Sequence, residues 1–122
     1  MPRRILIVDD EPHMIRLAEL SLRNGGFTIT TARNGAEAIA AVQREKPDLI
    51  IMDVLMPEMD GLQALQILKE NAETSNIPVI MLTARGHQIT RQEASNTGAD
   101  AFFTKPFSPT QLLAEANRIL GQ

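Results

Sequence analysis

The sequence predicts an α/β domain built on a parallel sheet. Five short apolar runs alternate with five stretches of helical spacing, the connections are short, and four of the runs end on polar side chains. Such alternation implies parallel strands with helices on both faces, joined by right-handed crossovers. At 122 residues the chain is expected to form one domain over residues 1–122. That length buries roughly two-thirds of the unfolded surface without a disulfide or metal staple.

Ile5-Leu6-Ile7-Val8 is the first run, and it ends on Asp9, Asp10 and Glu11. Pro12 suits the first turn of a helix, where its missing N–H costs nothing, and acidic residues before it favour the positive end of the helix dipole. Met14, Leu17, Ala18 and Leu22 follow at helical spacing until Asn24-Gly25-Gly26 stops the helix. Phe27-Thr28-Ile29-Thr30-Thr31-Ala32 has strand propensity with partial alternation, which places it near a sheet edge. After the Asn34-Gly35 turn, Ala36, Ile39, Ala40 and Val42 mark a second helix, ended by Pro47.

Leu49-Ile50-Ile51-Met52 reads as a strand buried on both faces, with Asp53 at its C-terminal end. Met56-Pro57-Glu58-Met59-Asp60-Gly61 is a loop, after which Leu62, Leu65, Leu68 and Lys69 resume a helical face. Ile77-Pro78-Val79-Ile80-Met81-Leu82 is a fourth strand ending at Thr83-Ala84, with Pro78 near its start, where it is tolerated. Residues 87–97 form a helical stretch whose only aliphatic side chains are Ile89 and Ala94, so packing should hold it loosely, and Gly98 ends it. Ala101-Phe102-Phe103-Thr104 is the fifth strand, in which one of the two phenylalanines must face inward, and Lys105-Pro106-Phe107 closes it. Ser108 is an N-cap with Pro109 at the first helical position, and Leu112, Leu113, Ala116, Ile119 and Leu120 make an amphipathic helix.

Composition narrows the function classes. With 43% hydrophobic and 22% charged residues the chain is an ordinary globular one rather than a disordered one. It has no cysteine, which excludes disulfides, zinc–thiolate sites and thiol chemistry. A net charge of −3 gives no support to direct nucleic-acid binding. The apolar run after Met1-Pro2-Arg3-Arg4 is too short for a signal peptide or a membrane span, so no membrane association and a cytoplasmic location are expected. His13 and His87 read as exposed residues, and Met52, Met56 and Met59 as packing.

The chemistry gathers at one edge. In a parallel sheet the strand ends at Asp9-Asp10, Asp53, Thr83 and Lys105 lie on the same side, where ligands of open α/β sheets bind. Two carboxylates ~4 Å apart repel by roughly 4 kcal/mol at an effective dielectric of 20. Three stay ionised only with cations among them. Lys105 supplies one positive charge, and the remaining deficit suits a hard divalent cation, Mg²⁺ with carboxylate and water ligands. A carboxylate beside Mg²⁺ and a lysine is a candidate acceptor of a phosphoryl group.

The motifs Ile-Val-Asp9-Asp10-Glu11, Met-Asp53-Val-Leu-Met-Pro57-Glu-Met-Asp60-Gly61, Thr83-Ala84 and Lys105-Pro106-Phe107 resemble the receiver domain of bacterial two-component response regulators, over essentially the whole chain and in order. The resemblance implies a flavodoxin-like doubly wound fold with strand order 2-1-3-4-5. It implies that Asp53 takes a phosphoryl group from a histidine kinase or histidine phosphotransfer protein in a phosphorelay. It implies that Asp10, Asp53 and the backbone carbonyl of Leu55 ligate Mg²⁺, with Mn²⁺ as a substitute, and that Asp9 acts through water. Thr83 would bond the phosphoryl oxygens and Lys105 pair with them. Lys105-Pro106 resembles the family's cis peptide, and Phe102 its aromatic switch position. Leu55 and Arg85, two residues beyond Asp53 and Thr83, would tune kinetics.

The leading expectation is therefore a phosphorylation-controlled switch. It would offer the surface of the 87–97 helix, the fifth strand and the last helix to a downstream protein target or output domain. A monomer or a weak phosphorylation-dependent dimer is expected, with no enzymatic turnover beyond the domain's own aspartyl phosphorylation and dephosphorylation. Only Gly121 and Gln122 follow Leu120, so no output domain is expected within this sequence; a stand-alone regulator and an excised domain read alike. A Mg²⁺-dependent phosphatase with an aspartyl nucleophile is an alternative, but its Asp-x-Asp motif fails at Leu55, and no Gly-x-Gly-x-x-Gly or P-loop pattern occurs. A phosphorylation-independent scaffold has no need of so costly an acidic crevice.

Overall fold

The computed structural model of the chain describes residues 2–83 and 96–121. Five parallel strands form one sheet in the order β2-β1-β3-β4-β5. They are β1 Arg4–Val8, β2 Thr28–Ala32, β3 Leu49–Asp53, β4 Val79–Thr83 and β5 Ala101–Thr104. The described helices are α1 Pro12–Leu22, α2 Gly35–Arg44, α3 Gly61–Glu70 and α4 Pro109–Leu120. The helix expected over residues 87–97 lies outside the described residues except at Asn96 and Thr97, which are helical.

The period-2 geometry of a strand explains the two cores. Leu6 and Val8 of β1, Ile50 and Met52 of β3, and Val79 and Met81 of β4 face α2 and α3, where they bury Ala38, Val42, Ala64, Leu65 and Leu68. The alternate residues Ile5, Ile7, Leu49, Ile51, Ile80 and Leu82 face α1 and α4, against Ala18, Leu22, Leu112, Ala116 and Leu120. Every residue of β3 and of β4 is buried, as expected of strands covered on both faces. β2 lies at an edge and is mostly exposed or half-buried, again as expected.

Phe102 packs on the α2/α3 core and Phe103 on the α1/α4 core, each half-buried. The choice of which one faces inward is thus settled by both doing so, on opposite sides of an edge strand. Met52 is buried, and Met56 and Met59 pack against the same core, as expected of packing residues.

Helix ends follow the residues nearby. Pro12 opens α1, as expected, but α1 closes through a 3₁₀ turn over Arg23–Gly25 before Gly26 takes a left-handed φ of 74°. Asn34 caps α2 by accepting from the Glu37 N–H at 2.9 Å. α3 carries a capping box between Asp60 and Gln63 that hydrophobic spacing alone did not reveal. Ser108 caps α4, accepting from the Gln111 N–H, with Pro109 in the first turn.

Two strand starts are fixed from a distance. Asp48 accepts from the Arg4 N–H and Asp100 from the Val79 N–H, both at 2.8 Å. Each carboxylate precedes one strand and satisfies the first donors of its neighbour. β4 begins at Val79, two residues later than the apolar run suggests, because Pro78 has no N–H for the ladder; its carbonyl instead accepts from Ile50.

Candidate functional site

The odd-numbered residues of β1 and β3 point to the α1 side, so continuing the alternation one step past β1 brings Asp9 beside Asp53. Both are buried, with 1% and 3% of their surface exposed. Asp9 leaves β1 under a tether: its backbone N–H donates to the Ala32 carbonyl, and its carboxylate accepts from the Glu11 N–H at 3.0 Å. Asp53 is fixed by the turn behind it. The Gly61 N–H donates to the Val54 carbonyl at 2.8 Å, and a Cβ on Gly61 would overlap the Asp53 carbonyl oxygen. Only glycine lets α3 start this close to the end of β3.

Lys105 reaches into the crevice from the far side. Its backbone N–H donates to the Thr83 carbonyl at 2.7 Å, and the Lys105–Pro106 peptide is cis, as the resemblance implied. Its Nζ lies 2.8 Å from Asp9 Oδ2, 3.1 Å from Asp53 Oδ2 and 3.4 Å from Glu11 Oε1. Asp10 is exposed and completes a group of four carboxylate residues, Asp9, Asp10, Glu11 and Asp53, each offering a ligand atom within 4.8 Å of the others. Thr83 is buried at the end of β4, where, among the described residues, its hydroxyl makes a long 3.5 Å hydrogen bond to the Phe103 carbonyl. Leu55 is half exposed and lines the crevice of about 420 Å³ with Met14 and Pro106. Arg85 lies outside the described residues.

The electrostatics are unbalanced. Burial pushes the Asp53 carboxyl above the ordinary carboxylate range, and the neighbouring Asp9 charge adds to the push. Hydrogen bonds from Lys105 and from the Leu55 backbone oppose it without cancelling it. Burial also works against the charge on Lys105, but Asp9 and Asp53 outweigh it and raise its pKa. Asp9 Oδ2 is buried and lies 2.8 Å from Lys105 Nζ, the shortest of the lysine's carboxylate contacts. A hard cation fits these residues. Oxygen donors converge from two strand ends, and four carboxylates face one lysine, which leaves the local charge in deficit.

Sequence reasoning named Asp9, Asp10, Asp53, Thr83 and Lys105, and the sheet gathers them at one edge. It passed over the part of Glu11, whose carboxylate crosses the crevice to Lys105, 94 residues away. The signal available was the run Asp9-Asp10-Glu11 facing a lone strand-end lysine.

Sheet order and crevice together define a flavodoxin-like α/β domain with an acidic, lysine-bearing site at its C-terminal edge. A family model for the response regulator receiver domain matches residues 5–117. The chain belongs to that family, the receiver domains of two-component response regulators. It is 37% identical over 120 residues to the alkaline phosphatase synthesis transcriptional regulatory protein PhoP of Bacillus subtilis, covering 98% of this chain and 49% of that protein. Identity to the phosphate regulon transcriptional regulatory protein PhoB of Klebsiella pneumoniae is 40% over 120 residues, covering 98% and 52%. The chain spans about half the length of these curated relatives. Among solved structures, the chemotaxis response regulator CheY4 of Vibrio cholerae matches with a TM-score of 0.87 at 30% identity, covering 98% of this chain and 100% of that one. The receiver domain of a signal transduction histidine kinase from Syntrophus aciditrophicus gives a TM-score of 0.87 at 37% identity, covering 98% and 90%. Among the described residues, no helix is long and apolar enough to cross a membrane.

Proposed function

We propose that Asp53 accepts a phosphoryl group from a phosphohistidine of a histidine kinase or phosphotransfer protein, and that the modified domain acts on a downstream protein or output domain in the cytoplasm. The observation that carries this reading is the buried Asp53 carboxylate, held 3.1 Å from Lys105 at the open end of β3. In the transfer, the phosphorus–nitrogen bond to the donor imidazole breaks and a bond to an Asp53 oxygen forms. Lys105 neutralises charge on the transferring oxygens. The Thr83 hydroxyl, weakly engaged at rest, turns to donate to one of them. Asp10, Asp53 and the Leu55 carbonyl would hold Mg²⁺, or Mn²⁺ in its place, with Asp9 contributing through water; the ion supplies charge stabilisation to the phosphoryl oxygens. The domain turns over no other substrate in this reading.

The phosphoryl adds about −1.5 to −2 charges beside Thr83 and Lys105. Those two residues end β4 and follow β5, so the response is proposed to pass to Phe102 and the β5–α4 side, with residues 87–97, as a population shift. Intact mass after treatment with acetyl phosphate and Mg²⁺ should show one added phosphoryl group, lost in Asp53→Asn and in chelator. Equal labelling of that variant overturns the assignment.

A further inference from the structure

The ammonium group of Lys105 has three N–H donors, and three carboxylates already surround it. It hydrogen-bonds Asp53 at 3.1 Å and Glu11 at 3.4 Å and is ion-paired with Asp9 at 2.8 Å. A phosphoryl oxygen that is to pair with Lys105 competes with these carboxylates for it. Asp9 is a poor candidate: its side chain is 2% exposed, so leaving the lysine would strand a charge away from water. Asp53 gives up its carboxylate charge to the phosphoryl it carries, so it ceases to compete for the lysine. Glu11 remains. It makes the longest of the three contacts, and its side chain is 48% exposed, so it can exchange the ammonium for water at little cost. Its second oxygen already lies 3.5 Å from His13 Nε2 on the outer side.

We infer that Glu11 is a positioning residue for Lys105. It occupies the lysine's outer donor in the resting crevice and yields that donor to the incoming phosphoryl group. The inference rests on the proposed phosphorylation of Asp53. Glu11 precedes the first residue of α1, while Lys105 follows β5, so the contact spans the mouth of the crevice. A resting lysine held in this way stays pointed at Asp53, at the expense of affinity for the group it will meet.

The test is the apparent affinity for beryllofluoride, a phosphoryl analogue, at saturating Mg²⁺ in the parent, Glu11→Gln and Glu11→Asp. Mg²⁺ affinity without the analogue is measured in parallel by calorimetry. Glu11→Asp keeps the charge but is one methylene too short to hold the lysine from the same backbone position. Both variants should bind beryllofluoride about two- to fivefold more tightly, the range of one exposed ion pair. Mg²⁺ affinity should stay within about twofold of the parent, a change of roughly 0.4 kcal/mol. Unchanged beryllofluoride affinity in both variants overturns the inference. So does tightening in Glu11→Gln alone, which would show a diffuse charge effect rather than a contact. A roughly tenfold loss of Mg²⁺ affinity would make Glu11 a cation ligand and overturn it as well. If the parent itself fails to bind beryllofluoride, the phosphorylation reading falls, and the role of Glu11 falls with it.

Discussion

Asp53 holds its charge against its surroundings, and that has a measurable cost. Its folded pKa lies above the ordinary value of 3.8, so the native state binds the proton more tightly than the unfolded chain does. Stability therefore falls as pH rises from about 4 through the folded pKa, and the loss persists at neutral pH. Asp53→Asn should raise the melting temperature at pH 7 in chelator by about 4 °C, the effect of roughly 1 kcal/mol in a domain of this size. The gain should vanish below the ordinary carboxylate pKa, and Mg²⁺ should narrow it by stabilising only the parent. Thermal scans across pH decide the matter; a variant less stable than the parent at pH 7 would contradict the charge argument. Leu55 makes a second point at this scale. It is half exposed over the crevice and cannot orient water, so Leu55→Asn should speed decay of the phosphorylated protein by about threefold, roughly 0.7 kcal/mol of barrier. An unchanged decay rate would place control of lifetime elsewhere.

The elements show what local patterns carry and what they omit. β3 and β4 were legible because continuous apolar runs need cover on both faces, and the ends of α1 and α4 because proline, glycine and serine act locally. The placement of Asp9, Asp53 and Lys105 at one edge followed from parallelism alone. The clamps of Asp48 on Arg4 and Asp100 on Val79 were not legible, since they join residues 44 and 21 positions apart and any loop aspartate looks alike in sequence. The same holds for Glu11 and Lys105. Gly61 is intermediate: its presence was plain, but the reason is close approach to the Asp53 carbonyl. Gly61→Ala should cost about 2 kcal/mol by overpacking and slow phosphorylation of Asp53, measured by denaturation and by acetyl phosphate labelling. A variant with the parent's stability would show that the turn can relax.

At the scale of the whole molecule, one sheet separates two cores without making two folding units. Ile50 and Ile51 are adjacent, fully buried, and belong to opposite cores. Truncating either to alanine should cost about 2–5 kcal/mol. Unfolding should remain a single transition in both variants, because each core loses its floor when the strand leaves. Far-ultraviolet dichroism and hydrogen exchange of the two helix layers check this; a layer that melts alone in one variant would refute the shared floor.

The carboxylates at the two rims of the sheet have different fates. Asp48 and Asp100 are bound to backbone N–H groups at the strand starts, while those at the strand ends, beyond their backbone contacts, also face one another and a lysine. Handling the protein becomes simpler as a result. Lys46 and Asn76 are exposed in loops that feed the strand starts, facing away from the crevice. A dye, a surface linker or a fused reporter attached there points away from the chemistry, so a sensor built on this domain can be anchored by one rim and read at the other.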